Sequence, residues 1–191
     1  TVRADRSWAG PTGSLVVTGV VRGSLTGRRT GAAVDLSIPG EPADDDVFAL
    51  QLGRDGTLQW GARFGSGGAD ELLDATLAPD GSLVGAGRFA GATLVVRDAA
   101  GATRASVPSR GGIDVFVFRA GAAGVAWVRG LGSNADDLTH GARDFRLHVA
   151  GGLVGYTGTF NATLSDLTLV DETGAELSHV WGDGAGLQTA A

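Results

Sequence analysis

Asp46-Val47-Phe48-Ala49-Leu50 returns 68 residues later as Asp114-Val115-Phe116-Val117-Phe118. A second landmark keeps the same register. Leu15-Val16-Val17-Thr18-Gly19 is followed after 68 residues by Leu83-Val84-Gly85-Ala86-Gly87, and after a further 71 by Val154-Gly155-Tyr156-Thr157-Gly158. Two landmarks in one register mark an internal repeat. A period of this length belongs to stacked or radial units that bury their apolar faces against neighbours. It specifies architecture and carries no catalytic signature.

Each repeat reads as four strands. Leu72 to Ala78 is the first, and Pro79-Asp80-Gly81 supplies a turn in which Pro fixes φ and Gly takes the left-handed position. Ser82 to Phe89 is the second, forming a hairpin with the first. Asp114 to Arg119 is the third, apolar on both faces, as befits a strand covered on both sides. Gly124 to Gly130 is the fourth. The preceding unit shows Val47 to Leu52, a turn at Arg54-Asp55-Gly56, and Thr57 to Phe64, with Trp60 matching Trp127. Between second and third strands lies an insertion of about two dozen residues, too long for a plain loop. Phe89-Ala90-Gly91-Ala92-Thr93-Leu94 opens it in one unit and Phe160-Asn161-Ala162-Thr163-Leu164 in the next. It is expected to form an extra hairpin, with Thr93 to Val96 and Leu167 to Val170 as strands.

The expected fold is all-β, built of four-stranded antiparallel propeller-type blades. An open β-solenoid or a three-fold β-prism is the alternative. The units run 1–68, 69–137 and an incomplete 138–191, about two and a half repeats. The absence of methionine and the start at Thr1 lead to the expectation of a processed or trimmed piece of a larger propeller or array. Missing blades are then expected from the same polypeptide or from identical copies, with 161–170 and 182–191 at the junction.

Composition bounds the class. Thirty-three glycines against five prolines suit many short strands joined by tight turns, and 43% hydrophobic residues supply a core. The net charge of −6, with every basic residue a scattered arginine, argues against nucleic-acid binding, which requires clustered cations. There is no cysteine, hence no disulfide and no thiolate metal site. No apolar run approaches the ~20 residues of a membrane-spanning helix.

The run from Asp114 to Phe118, the strand Val125-Ala126-Trp127 and the corner Leu131-Gly132-Ser133 resemble the SBBP-type β-propeller repeats of secreted bacterial proteins. The hairpin Leu77 to Gly87 is similar to that family's next two strands. The inserted Phe89-Ala90-Gly91 and Gly111-Gly112-Ile113-Asp114 resemble its longer variant in myxobacterial surface proteins. The resemblance covers nearly the whole chain. It implies a propeller-type fold and an extracellular or cell-surface location, and it has no general activity attached to it.

Candidate sites are few. The corner Gly65-Ser66-Gly67-Gly68-Ala69-Asp70-Glu71 has a counterpart in Gly132-Ser133-Asn134-Ala135-Asp136-Asp137. Such oxygen-rich loops could hold Ca²⁺ through Asp70, Glu71, Asp136 and Asp137, but they lack the alternating carboxylates of known calcium loops. The favoured reading has no metal or other cofactor: Asp70 and Asp136 tie down a unit-to-unit turn by accepting backbone N–H groups. Trp60 and Trp127 read as core because they recur with the repeat. Trp8 and Trp181, which do not recur, are the candidates for a binding surface, with the cluster Asp44-Asp45-Asp46. His140, His148 and His179 show no ligand spacing, and Asn161-Ala162-Thr163 is a sequon that arises easily by chance.

No nucleophile–base constellation is present, and nothing in the sequence places a carboxylate as a buried acid. The expected role is a noncatalytic extracellular or cell-surface module, a scaffold or a binding domain for a glycan or protein. The alternative is part of a carbohydrate-active hydrolase with its site on a propeller face.

Overall fold

The computed structural model describes residues 1–28, 34–38, 43–131, 136–137, 145–150, 152–157, 165–171, 173–182 and 187–190. Among them there is no α-helix, and every ladder is antiparallel. In the first unit lie β1 (Val2–Ala9), β2 (Leu15–Arg22), β3 (Leu25–Arg28), β4 (Val34–Ile38), β5 (Asp45–Leu52) and β6 (Leu58–Gly65). The second holds β7 (Glu71–Leu77), β8 (Leu83–Phe89), β9 (Thr93–Asp98), β10 (Thr103–Pro108), β11 (Asp114–Gly121) and β12 (Gly124–Leu131). The third holds β13 (Arg146–Ala150), β14 (Leu153–Thr157), β15 (Ser165–Asp171), β16 (Glu176–Gly182) and β17 (Leu187–Ala190).

Four strands of each of the first two units form an open meander, β1-β2-β5-β6 and β7-β8-β11-β12. The turns follow from local chemistry. Asp55 accepts the Thr57 N–H at 3.0 Å and hydroxyl at 2.7 Å, and Asp80 does the same for Ser82, while Gly56 and Gly81 take φ near +80°. The first strands also share a β-bulge, between Ala4 and Arg6 in β1 and between Leu72 and Asp74 in β7. The bulge explains a repeat landmark. A Cβ on Gly19 would lie 2.0 Å from the Arg3 carbonyl oxygen, and one on Gly87 would lie 2.7 Å from the Glu71 carbonyl oxygen. Only glycine lets that carbonyl approach.

The inserted segments do form hairpins, and the second unit's hairpin leaves its own sheet. β9 pairs with β6 of the first unit, Arg63 opposite Arg97, Phe64 opposite Val96 and Gly65 opposite Val95. The first sheet thereby grows to six strands, β1-β2-β5-β6-β9-β10. β3 and β4 form a two-stranded sheet of their own. In the third unit the hairpin stays at home: β15 pairs with β14, and the sheet runs β13-β14-β15-β16-β17. The edge of β14 that the third strand of a unit takes in the first two sheets is thus taken by β15, because an unpaired row of N–H and C=O groups accepts the nearest strand.

Sheets pack face to face. Even-numbered residues of β2 and β8 face the following unit and odd-numbered ones the preceding unit, as the two-residue strand period requires. The layer between the first two sheets holds Val16, Val47, Trp60, Phe64, Leu83, Phe116 and Phe118. Phe64 lies with its ring centroid 4.1 Å from Phe118 and 5.6 Å from Phe116. Burying each such ring contributes about 1.5–3 kcal/mol, which makes this layer the main adhesive between the two units. A second layer joins the second unit to the third through Val84, Val115, Trp127, Phe145, Leu147 and Val154.

Candidate functional site

Most of the buried polar groups among the described residues gather where one unit passes to the next. Asp46 is the second residue of β5, the third strand of the first meander, and is fully buried. Its Oδ2 accepts Arg63 Nε at 2.8 Å and also Nη2 of the same guanidinium, while its Oδ1 finds no donor. Asp70, 3% exposed, closes the corner after β6. Its Oδ2 accepts the Ser66 N–H and its Oδ1 the Ser66 hydroxyl, both at 2.7 Å. The Asp70 N–H donates to the Asp45 carbonyl at 2.8 Å, and Gly91 N–H donates to Ser66 Oγ at 3.0 Å. The corner therefore ties β5, β6 and the loop after β8 together.

Asp46 has the Arg63 guanidinium and Asp70 has only Ser66 donors, so the two neighbouring carboxyls cannot both ionise freely. Burial pushes Asp46 up to about 6 against the pull of Arg63. Burial pushes Asp70 up to about 7 against its bonds from Ser66, and the charge of Asp46 adds to the rise. The pair can hold one proton between them, which would satisfy the orphaned Oδ1. Asp46 is fully buried, whereas Asp70, 3% exposed, lines a pocket of about 270 Å³ together with Arg3, Glu71 and Arg88.

The second unit repeats the arrangement with a change. Asp114 matches Asp46, is 2% exposed, and again has an Oδ1 without a donor. Its Oδ2 accepts the Arg110 N–H at 2.8 Å instead of a guanidinium, since the position of Arg63 is taken by Gly130. A Cβ on Gly130 would stand 2.2 Å from Val107. Asp137, fully buried, donates its N–H to the Ile113 carbonyl at 2.7 Å, as Asp70 does to Asp45. Asp137, rather than Asp136, is thus the geometric counterpart of Asp70. Asp136 Oδ1 accepts the Ile113 N–H at 3.0 Å.

A polar row crosses the first strands of all three units. Arg6 on β1 donates to Asp74 Oδ1 on β7 at 2.7 Å, and the Leu147 N–H of β13 donates to Asp74 Oδ2 at 3.0 Å. At the turn end, between the first two sheets, lies a groove of about 820 Å³ that includes Gln51, Gln59, Asp80, Ser82 and Arg119. Arg119 donates to Ser82 Oγ at 2.8 Å and to Asp80 Oδ2 at 2.9 Å, and Gln51 bridges Ser14 Oγ and Trp60 Nε1, each at 2.6 Å. Thr12, at φ 59°, lines the same groove and is the one non-glycine residue with positive φ among the described residues.

The sequence-level candidates do not converge. Trp8 is half-buried against the first core layer, level with Val16 and so with Gln51. Asp46 lies opposite Val21, at the other end of the same strands. Asp45 bonds Arg22 at 2.8 Å, Asp44 is half-buried just before β5, and Glu71 pairs with Arg88 at 2.7 Å. Trp181 lies on β16, its backbone opposite Asp166 and Gln188. His140, residues 132–135 and the sequon at 161–163 lie outside the described residues. Among the described residues no group of three or more His, Cys, Asp or Glu is arranged to hold a metal ion, and no helix is long and apolar enough to cross a membrane. The sequence reading missed Arg63, Ser66 and Asp74 as partners. One signal was available: Arg6 and Asp74 stand one repeat apart, with opposite charge at the same strand position.

The sequence matches no protein-family model and no curated protein.

Proposed function

We propose that this chain is a run of SBBP-type propeller blades serving as a noncatalytic scaffold and binding module at the cell surface or outside the cell. The observation that carries the reading is the row Arg6–Asp74–Leu147, which sets β1, β7 and β13 side by side. First strands of successive units lie side by side around a common axis in a propeller, and along one wall in the alternative open solenoid. The buried aspartates that recur with the repeat, Asp46 with Asp114 and Asp70 with Asp137, are spent on joints between units, which is what a scaffold asks of them. The groove at the turn end, with donors and acceptors from Gln59, Asp80 and Arg119, suits a polar ligand such as a glycan lying across two blades.

A glycan array read beside a panel of glycosidase substrates tests the binding role. Saturable binding weakened tenfold by Gln59→Ala, without turnover, is the expected result. Turnover abolished by replacing one or two carboxylates would overturn it in favour of a carbohydrate-active hydrolase.

A further inference from the structure

β3 and β9 occupy the same place in successive units. Leu25 lies opposite Ile38, Thr26 opposite Ser37, Gly27 opposite Leu36 and Arg28 opposite Val34, with a register shift before the last pair. Sixty-nine residues on, Leu94 faces Val107, Val95 faces Ser106, Val96 faces Ala105 and Arg97 faces Thr103, with the same shift. The second hairpin uses the other edge of β9 to pair with β6 of the unit before it. Among the described residues, the corresponding edge of β3 carries no partner strand.

The face beside that edge is covered at its centre, where Val21, Phe48 and Leu50 are buried with Leu25 and Ile38, and open at its margins. Leu15 and Leu83 are equivalent residues on the preceding side of their sheets. Leu83 is fully buried against the first unit, whereas Leu15 is 43% exposed. Val2, opposite Val21 on the same face, is 48% exposed. An open edge and two exposed apolar residues at the margins of the same face thus remain, and the chain's own second unit shows what fills the equivalent positions.

We propose that β3 is a strand-addition site for one further unit of this same repeat, placed in tandem before the first. That unit's fourth strand pairs antiparallel with Thr26–Arg28, and its apolar face covers Val2 and Leu15. By the register of β6 with β9, the incoming residue at the position of Phe64 lies opposite Gly27, on the side of Phe48 and Leu50, which are already buried with Leu25 and Ile38 of the β3–β4 hairpin. The proposal rests on the repeat reading above and adds the partner and its register.

The test places a copy of residues 1–68 directly before Thr1 of the full chain, which preserves the 68-residue spacing, and follows amide hydrogen exchange. Exchange at Thr26–Arg28 is expected to slow at least tenfold. Phe64→Glu in the added copy alone should restore the original rate while that copy's own 46–50 strand stays protected. An added copy that is protected at 46–50 but leaves Thr26–Arg28 unchanged overturns the site and leaves the repeat reading standing. An added copy that gains no protection at all overturns both. Protection of Thr26–Arg28 that rises with concentration in the unfused chain gives the place to a second copy and overturns the tandem assignment.

Discussion

Asp74 shows how much one short side chain can carry in a protein of stacked sheets. It accepts from Arg6, from Leu147 N–H and from its neighbour Ala75 N–H, so it touches three first strands at once. Arg6 is half exposed, and removing it leaves Asp74 with two backbone donors. Arg6→Ala should therefore cost no more than about 1 kcal/mol in urea unfolding. Asp74→Ala strands the Leu147 N–H between sheets and should cost about 2 kcal/mol. Equal effects would mean that the row contributes only through its surface ion pair. Asp70 makes a prediction of the opposite character. Its carboxyl is raised from 3.8 to about 7, so between those values the folded chain holds a proton that the unfolded chain has released. The associated stability is fully present below about pH 4 and is lost as pH rises toward 7. Asp70→Asn, whose amide can donate where the proton sat, should flatten that slope and raise stability at pH 8 on the order of 1 kcal/mol. Urea midpoints at pH 5 and pH 8 measure it; an unchanged slope would show that the shared proton lies elsewhere.

At the scale of elements, the bulged first strand and the glycine beneath its carbonyl act as one device. A Cβ at Gly87 would meet the Phe116 ring at 2.5 Å as well as the Glu71 carbonyl, and neither can move without disturbing the aromatic layer. Gly87→Ala should lower stability by about 1–3 kcal/mol, whereas Gly67→Ala, which meets nothing within 4 Å, should change it little. Thermal unfolding of the two variants side by side checks this, and similar losses would argue against the bulge as the cause. The sequence made the strands legible because alternation and Asp-Gly turns are local. It also made the inserted hairpins legible, since paired apolar residues such as Leu94 and Val107 bracket a turn. What it could not convey was their destination. Whether β9 joins β8 or β6 depends on which unpaired edge lies nearest after the sheets stack, and that is a property of three-dimensional packing. The same holds for the corner: Asp46 was visible as a polar residue heading an apolar strand, but Arg63 emerges as its partner only when β5 and β6 pair.

For the whole molecule, the repeat makes each unit a control for the others, because equivalent residues differ only in what lies against them. Val84 and Val16 each have a following sheet, and both are fully buried. Leu83 has a preceding sheet and Leu15 does not. Leu83→Ala removes a fully buried side chain from the layer that also holds Val16, Phe116 and Phe118 and leaves a cavity, so it should cost about 2–5 kcal/mol. Leu15→Ala gives up a side chain that water already reaches and should cost under about 1 kcal/mol in the chain as it stands. In a polypeptide carrying a further unit before the first, the same Leu15→Ala change should become as damaging as Leu83→Ala, since burial and not identity sets the penalty. Urea unfolding of both variants, alone and behind an added unit, reads the contrast directly. A Leu15→Ala loss that matches Leu83→Ala in the unfused chain would mean that the outer face is already covered, and that the first unit ends the stack.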